Sequence, residues 1–548
     1  MRVRATNGPL SVRAYAGTYV VSLGMNMPNQ ADTAGLLGFA VRRTDHTENE
    51  DYFLPGFKTF ESVFPNPPKG SVVSSRDHPI QGFVWGDYTA KPGHTYTYHV
   101  SPVRGQPKNL QIGAATSVKV TTENPDAQGH GIFFNRGVAG SQAYGRKFED
   151  KSPKEIGQEA WDWLSRGLVE ALLAFIAQAN GAKFTLHAAV YEFNYEPVLK
   201  AFKKAHSTGA TVKIVYDART GTGKPSGAST KAINKVGIKT LTIKRTKDSS
   251  HDKHNKFIVL LKDGVPIQVW TGSTNISAGG IFGHSNVGHI VRDPAVAAAY
   301  DAYWHRLAKD PDPKNSRPDN VTATPDPNGP PAANGITPFF SPRKTMALLD
   351  WYADRMGATK DCVCFTAAFG VNQRFAKVLN FQPGGAAFMR YVLLEKPGAT
   401  FDMFAGDNLV KTSVGDLVTN DALYRWAKER LSGLNKNVRY MHTKYMLIDP
   451  TGNDPIVVSG SANFSENSTT GNDENMLVIR GDTRTADIYL GEFMRLFNHF
   501  AFRHWLNGKD KPIKTKERQA AYLKEDDSWT GKYYFPGSRS EKERLVFA

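Results

Sequence analysis

One pattern constrains this chain more than any other, because it occurs twice in the same register. His254-Asn255-Lys256-Phe257-Ile258-Val259 precedes Gly272-Ser273-Thr274-Asn275. His442-Thr443-Lys444-Tyr445-Met446-Leu447 precedes Gly460-Ser461-Ala462-Asn463. Eighteen residues separate histidine from glycine in both copies, which selects His254 over His251 as the counterpart of His442. Looser echoes lie upstream. Phe133-Phe134-Asn135-Arg136 returns as Phe339-Phe340-Ser341-Pro342-Arg343, and Leu186-His187-Ala188-Ala189-Val190 as Phe365-Thr366-Ala367-Ala368-Phe369. An internal duplication of about 180 to 200 residues accounts for all of them.

The repeated residue types suit phosphate chemistry. In an extended chain, positions i and i+2 project to one face, so His254 points with Lys256 and His442 with Lys444. An imidazole attacks or donates a proton near neutral pH. A lysine sets a fixed charge against phosphoryl oxygens. Asn275 and Asn463 add amide donors, and Ser273 and Ser461 stand two residues before them. Two copies supply one nucleophile, one acid and a cationic cradle, a phosphoryl-transfer set that needs no metal.

This double H-x-K…G-S-x-N pattern resembles the phospholipase D superfamily (signature H-x-K-x4-D-x6-G-S-x-N), from about Gly131 to Ala548. The resemblance implies two α/β/α halves about a pseudo-twofold axis, a covalent phosphohistidine, a second histidine that protonates the leaving group, and no cofactor. Asp449 fills the signature's aspartate in the second copy. The first copy has Leu261 there and Asp263 two residues on, so Asp263 is expected to substitute. The family also places a carboxylate behind a catalytic histidine, often that of the opposite half. Glu474 matches it, whereas the first copy offers uncharged Ser285 or Asn286. A buried acid fixes an imidazole's tautomer. Cross-pairing then makes His254 the nucleophile and His442 the general acid, with the reverse assignment as alternative.

Residues 1–125 read as β: Thr18 to Leu23 and Thr95 to Val100 alternate between Gly and Pro breaks. A small sandwich of immunoglobulin or fibronectin type is expected, or else an irregular β extension of the next domain. Residues 126–309 form the first half, with a helix over Glu159 to Asn180, strands over Phe184 to Val190 and Val212 to Tyr216, and a helix over Glu196 to Ala205. Residues 310–336, with seven prolines between Pro311 and Pro331, read as a linker or surface crossover. Residues 337–548 form the second half with its tail. Cys362 and Cys364 are one residue apart, so they are expected as buried thiols that neither pair nor build a zinc site. There is no run of 18 apolar residues to span a membrane, and Met1-Arg2-Val3-Arg4 is not followed by the apolar core of a cleaved signal. A cytoplasmic protein is therefore expected ahead of a secreted one, and one chain is expected to suffice for a complete site.

The net charge of +16 favours a polyanionic partner. Ser465 to Ile479 resembles the small bacterial nucleases of the superfamily. A nuclease is thus expected ahead of a phospholipase D, since basic charge also suits anionic lipid surfaces. A phosphate-binding protein with a relic site is the third reading. Weaker candidates are His284 and His289 beside Asn286, and His187, all expected to pack. Trp529, Tyr533, Tyr534 and Arg539 either stack on substrate or cover the second half. Lys509, Lys511, Lys514, Lys516 and Arg518 form a basic run that either follows nucleic acid or is simply solvated.

Overall fold

The structure is a computed structural model that describes residues 1–68, 71–127, 129–137, 142–149, 151–380, 388–396, 409–415, 434, 438–507 and 522–548, with 142 and 504–507 described in backbone only. The basic run 509–518 lies outside the described residues.

Two α/β sheets carry the repeat. Their strands are numbered in chain order. The first half has β1 (His130–Phe134), β2 (Phe184–Val190), β3 (Thr211–Asp217), β4 (Thr242–Arg245), β5 (Lys256–Lys262), β6 (Val265–Gly272) and β7 (Val287–Val291). The second has β8 (Ile336–Ser341), β9 (Cys362–Ala367), β10 (Met389–Leu394), β11 (Val410–Val414), β12 (Tyr445–Ile448), β13 (Ile456–Gly460) and β14 (Glu474–Arg480). The strand order is β1-β7-β6-β5-β2-β3-β4 in one and β8-β14-β13-β12-β9-β10-β11 in the other, with a short Asp126–Ala127 strand added at the edge of the first. In both sheets the last three strands run parallel and every other pairing is antiparallel. The duplication is thus a duplication of topology.

Alternation along the H-x-K strands sorts their side chains into different cores. Phe257, Val259 and Leu261 on β5, with Tyr445 and Leu447 on β12, enter one core shared by the two halves. Ile258 and Leu260 face the helices of the first half. Met446 and Ile448 face those of the second. Helices Pro294–Leu307 and Thr483–Asn507 contribute Tyr300, Tyr303, Tyr489 and Phe493 to the shared core. The two cysteines are buried free thiols on β9.

Three expectations are corrected. The helix over Glu159 to Asn180 is two, Gln158–Ser165 and Leu168–Ala177. The break falls at Arg166 (φ 52°) and Gly167 (φ 89°), both left-handed. It lets the buried Arg166 guanidinium donate to the Phe134 carbonyl and pair with Glu492 at 2.6 Å. Apolar spacing runs on across the break, so periodicity alone did not reveal it. The proline-rich stretch holds the helix Pro313–Ala323, which packs against β8. Asp312 caps it by accepting from Asn315 N, Pro313 opens it, and Asn320 Nδ2 donates to the Pro342 carbonyl. Proline in a first helical turn is a start signal, and a count of prolines hides that. The third correction concerns the tail.

Among the described residues of 2–121 are a two-stranded sheet, Pro55–Gly56 with Val73–Ser74, and two larger antiparallel sheets. Arg2–Asn7, Leu10–Ala16, Val21–Asn26 and Val84–Asp87 make one. The other centres on the long strand Thr95–Gln106, which pairs with Gly38–Asp45, Asn109–Ile112 and Thr116–Thr121. Their alternating apolar residues, among them Val12, Ala14, Phe39, Tyr96, Tyr98 and Val118, share a core with Trp529 and Tyr533. Trp529 Nε1 donates to the Leu36 carbonyl at 2.8 Å, and its ring lies 5.6 Å from that of Phe83. These two aromatics complete the N-terminal core; they neither face a substrate nor cover the second half. Tyr534 bonds the Met27 carbonyl, and Arg539 the Val410 carbonyl on β11. Among the described residues, no helix is long and apolar enough to cross a membrane.

Candidate active site

The last residue of β6 is Gly272, and of β13 Gly460. Each glycine is required by close approach. A Cβ at Gly272 would stand 2.3 Å from the Val287 carbonyl oxygen, and at Gly460 2.2 Å from that of Asn475. This proximity locks the following serine. Ser273 N donates to the Val287 carbonyl, and its Oγ accepts from Val287 N and donates to Asn286 Oδ1 at 2.8 Å. Ser461 N donates to the Asn475 carbonyl, and its Oγ accepts from Asn475 N and donates to Glu474 Oε2 at 2.6 Å. The serines therefore orient Asn286 and Glu474, and the sequence's choice between Ser285 and Asn286 falls to Asn286.

Both oriented side chains reach across to the other half. Glu474 lies 2.9 Å from His254 Nδ1 through each carboxylate oxygen. Asn286 Oδ1 lies 3.1 Å from His442 Nδ1. The backbone crosses in the same way: His254 N donates to the Asp473 carbonyl and His442 N to the Ser285 carbonyl. The two imidazoles meet edge to face with centroids 6.2 Å apart. An Nδ1–H given to an oxygen leaves Nε2 as the lone pair of each neutral ring.

The lysines lie beneath the histidines. Lys256 Nζ donates to the His254 carbonyl at 2.5 Å and Lys444 Nζ to that of His442 at 2.6 Å. Burial drives all four groups toward their neutral forms. The Lys256 ammonium is pushed down to about 8 by burial, against the pull of Glu474 and Glu192. Lys444 is lowered well below the usual range by burial and by Lys256. His254 is lowered by burial, opposed by Glu474. His442 is lowered well below the usual range by burial and by Lys444. An anion placed among these four groups would favour their charged forms.

Asn275 and Asn463 follow the oriented serines, and the Oδ1 of each is buried without a hydrogen bond among the described residues. Asp449 and Asp263 lie at the far ends of β12 and β5, both left-handed (φ 46° and 51°). Each backbone N–H donates to the first residue of the neighbouring strand or the one before it, Cys362 and Lys183. The Asp449 carboxylate accepts from the amides of Lys360, Asp361 and Cys362, which secures the strand end. Asp263 with Gly264 forms the β5–β6 hairpin turn instead, the Asp-Gly pairing that such turns favour.

Other histidines have separate places. His284 packs on the His442 ring at 4.7 Å. His289 is buried between the halves, bonded to His130 and Tyr489. His187 lies against Trp304, and His251 bonds Asp248.

The structure adds residues that the sequence reading passed over. Tyr191, just after β2, lies edge-on to His254 at 4.8 Å, and Lys256 Nζ is 5.3 Å from its ring centre. Phe369 is its counterpart, 6.5 Å from His442 and 5.8 Å from Lys444 Nζ, and 62% exposed. Glu395, just after β10, is buried and accepts from the amides of Arg439, Tyr440 and Met441, directly before His442. Asp217, ending β3, takes the amide of Lys253, directly before His254, while paired with Arg219. The signal for these two was an acidic residue ending an apolar strand in both copies, which becomes legible only once the strands are aligned.

A family model described as "Cardiolipin synthase, PLD-like domain" matches residues 175–308 and 408–497. No curated protein sequence matches the chain. Among solved structures, phosphatidylserine synthase of Haemophilus influenzae Rd KW20 is similar over 63% of this chain and 88% of its own, at 10% identity and a TM-score of 0.42. Polyphosphate kinase from Porphyromonas gingivalis is similar over 56% of this chain and only 42% of its own length, at 9% identity and 0.38. The phospholipase D family member Nuc from Salmonella typhimurium covers 30% of this chain and 95% of its own, at 16% identity and 0.22. The first matched stretch contains His254, Lys256 and Asn275, and the second contains His442, Lys444, Asn463 and Glu474. The duplicated motif and the matched stretches therefore coincide, and over residues 175–308 and 408–497 the chain is similar to the PLD-like domain of that family model.

Proposed function

We propose that the protein is a phosphodiesterase that acts through a covalent phosphohistidine on His254, with nucleic acid as substrate. The cross-paired histidines carry this reading. His254, with Nδ1–H held by Glu474, presents the Nε2 lone pair to phosphorus. The phosphate anion, on binding, favours protonation of His442 at Nε2; the N–P bond forms as the P–O bond to the leaving group breaks, and His442 gives that Nε2 proton to the departing oxygen. His442 then takes a proton from water, whose oxygen attacks phosphorus and releases His254. Glu474 stabilises the positive charge that grows on His254. Asn286, being neutral, leaves His442 free to cycle its proton. The lysines, with Asn275 and Asn463, meet the phosphoryl oxygens.

The net charge of +16 supports nucleic acid, and so do the rings of Tyr191 and Phe369 flanking the histidine pair, because bases stack on such rings. A second reading, phospholipid cleavage, is supported by the phospholipid-named family model. Purified protein in excess EDTA is incubated with plasmid DNA, single-stranded DNA, or phosphatidylcholine vesicles. Cleavage of DNA alone is expected. Cleavage of vesicles alone replaces the substrate while keeping the chemistry. Loss of all hydrolysis on chelation, restored by Mg²⁺, would sink the metal-independent mechanism.

A further inference from the structure

We propose a divalent transition-metal site of the zinc class at His187, Asp301 and His305, separate from the catalytic histidines and structural in role. His187 lies on β2, opposite Val259. It stands four residues before Tyr191, about 13 Å along an extended chain. Asp301 and His305 are one turn apart on the helix Pro294–Leu307, so both project to one face of it.

The donor atoms of the three residues all lie within 4.8 Å of one another. His187 Nδ1 is 2.6 Å from Asp301 Oδ1, and His305 Nε2 is 3.4 Å from Asp301 Oδ2. Zinc bonds of about 2.0–2.2 Å put neighbouring donors roughly 3.0–3.5 Å apart. The His305–Asp301 spacing already meets that. The His187–Asp301 hydrogen bond must open by about half an ångström, and the Nδ1 proton leaves as the metal takes its place.

The set is held in position from behind. The His187 ring lies flat on Trp304, with centroids 3.8 Å apart and planes 2° apart, and Trp304 Nε1 donates to the Ala188 carbonyl at 2.9 Å. Such outer contacts fix a ligating imidazole. Two imidazoles and one carboxylate suit zinc, cobalt or nickel rather than magnesium or calcium. His305 is 61% exposed on its side chain, which gives the ion a way in and leaves water to complete its coordination.

The ion would tie β2 to a helix that supports the site. From that helix Tyr300 donates to Asn475 Oδ1, beside Glu474, and Tyr303 receives a bond from Asn255, beside His254.

The full-length protein, stripped with EDTA and dialysed, is titrated with ZnCl₂ by calorimetry, and with CoCl₂ by visible absorption. One ion per chain is expected, with Kd about 10 µM or tighter, a rise in melting temperature, and cobalt d–d bands. His305→Ala, a surface change, should weaken binding at least about tenfold and abolish the thermal shift. His94→Ala, in the separate Asp45–Glu48–His94 group, should leave both intact. Zinc binding unchanged in His305→Ala overturns the proposal, as does the absence of one-to-one binding in the wild type.

Discussion

The two halves place equivalent residues around one cleft and differ where it matters most. Behind His254 is the carboxylate of Glu474; behind His442 is the amide of Asn286. The serines, lysines, glycines and backbone bonds around them are matched. One charge thus separates two near-identical imidazoles, and that charge is delivered by the opposite half. In the proposed division of roles, role follows the partner behind a ring and not the motif in front of it.

The most severe test of this contrast uses the histidines themselves. Both His254→Ala and His442→Ala should lose on the order of 10⁴-fold or more of activity on ordinary substrate. A nitrophenyl phosphodiester, whose leaving group needs little acid help, separates them. With it, His442→Ala should form a phosphoenzyme and stall, and His254→Ala should form none. Mass spectrometry of quenched protein locates the adduct, and finding it on His442 in the wild type reverses the roles.

Exchanging the partners sharpens the comparison further. Glu474→Gln should lower kcat by on the order of 10²- to 10³-fold, while Asn286→Asp, which places a second charge in the cleft, should shift the apparent pKa of the acid upward. If Glu474→Gln retains wild-type kcat, the carboxylate has no part in the asymmetry.

The pH profile tests the charge balance. In free enzyme, Lys256 loses its proton as pH rises through about 8, so kcat/KM should fall above that point. Bound phosphate anion favours the ammonium form, so kcat should hold to higher pH. On the acid side, His254 must be neutral to attack. Burial has lowered its pKa, so the acid limb should lie below the ordinary imidazole value. A KM that is flat from pH 7 to pH 9.5 contradicts the lysine assignment.

Two smaller effects compare the supports. Glu395→Gln should reduce kcat about tenfold with KM little changed, because Glu395 positions the approach to His442 without touching substrate. Asp449→Asn should cost about 1–3 kcal/mol of stability, since it weakens acceptance from three amides. Asp263→Asn, in a turn that tolerates asparagine, should cost a few tenths by chemical denaturation. Equal losses at the two aspartates would break the distinction between strand anchor and hairpin turn.

The order of elements was legible because the repeat carries its own ruler: equal spacing from His254 to Gly272 and from His442 to Gly460. Strand Phe184–Val190 was readable from its apolar run bounded by polar residues. The break at Arg166–Gly167 was not, since the partner that Arg166 reaches through it, Glu492, lies far away in the chain. Nor was the place of Trp529 and Tyr533, whose core lies some 400 residues upstream. Around the cleft, residues within the motif could be named in advance. Glu395 and Asp217 act through backbone amides, which carry no residue code, and Tyr191 and Phe369 become neighbours of the histidines only through pairing of the strands. Asp263 shows the limit of parity: two residues on, the chain has already turned.

The crossing of Glu474 and Asn286 between the halves also bears on how such a molecule can change. A dimer of identical chains must place the same residue at both equivalent positions. Joining the copies in one polypeptide lifts that restriction. Each position behind an imidazole then mutates independently, and a symmetric pair of equal nucleophiles can become a committed donor and a committed acceptor. The same crossing makes each half hostage to the other, because a copy that lost its partner would keep its histidine and lose what orients it. Tandem fusion thus gave the freedom to specialise and took away the freedom to separate.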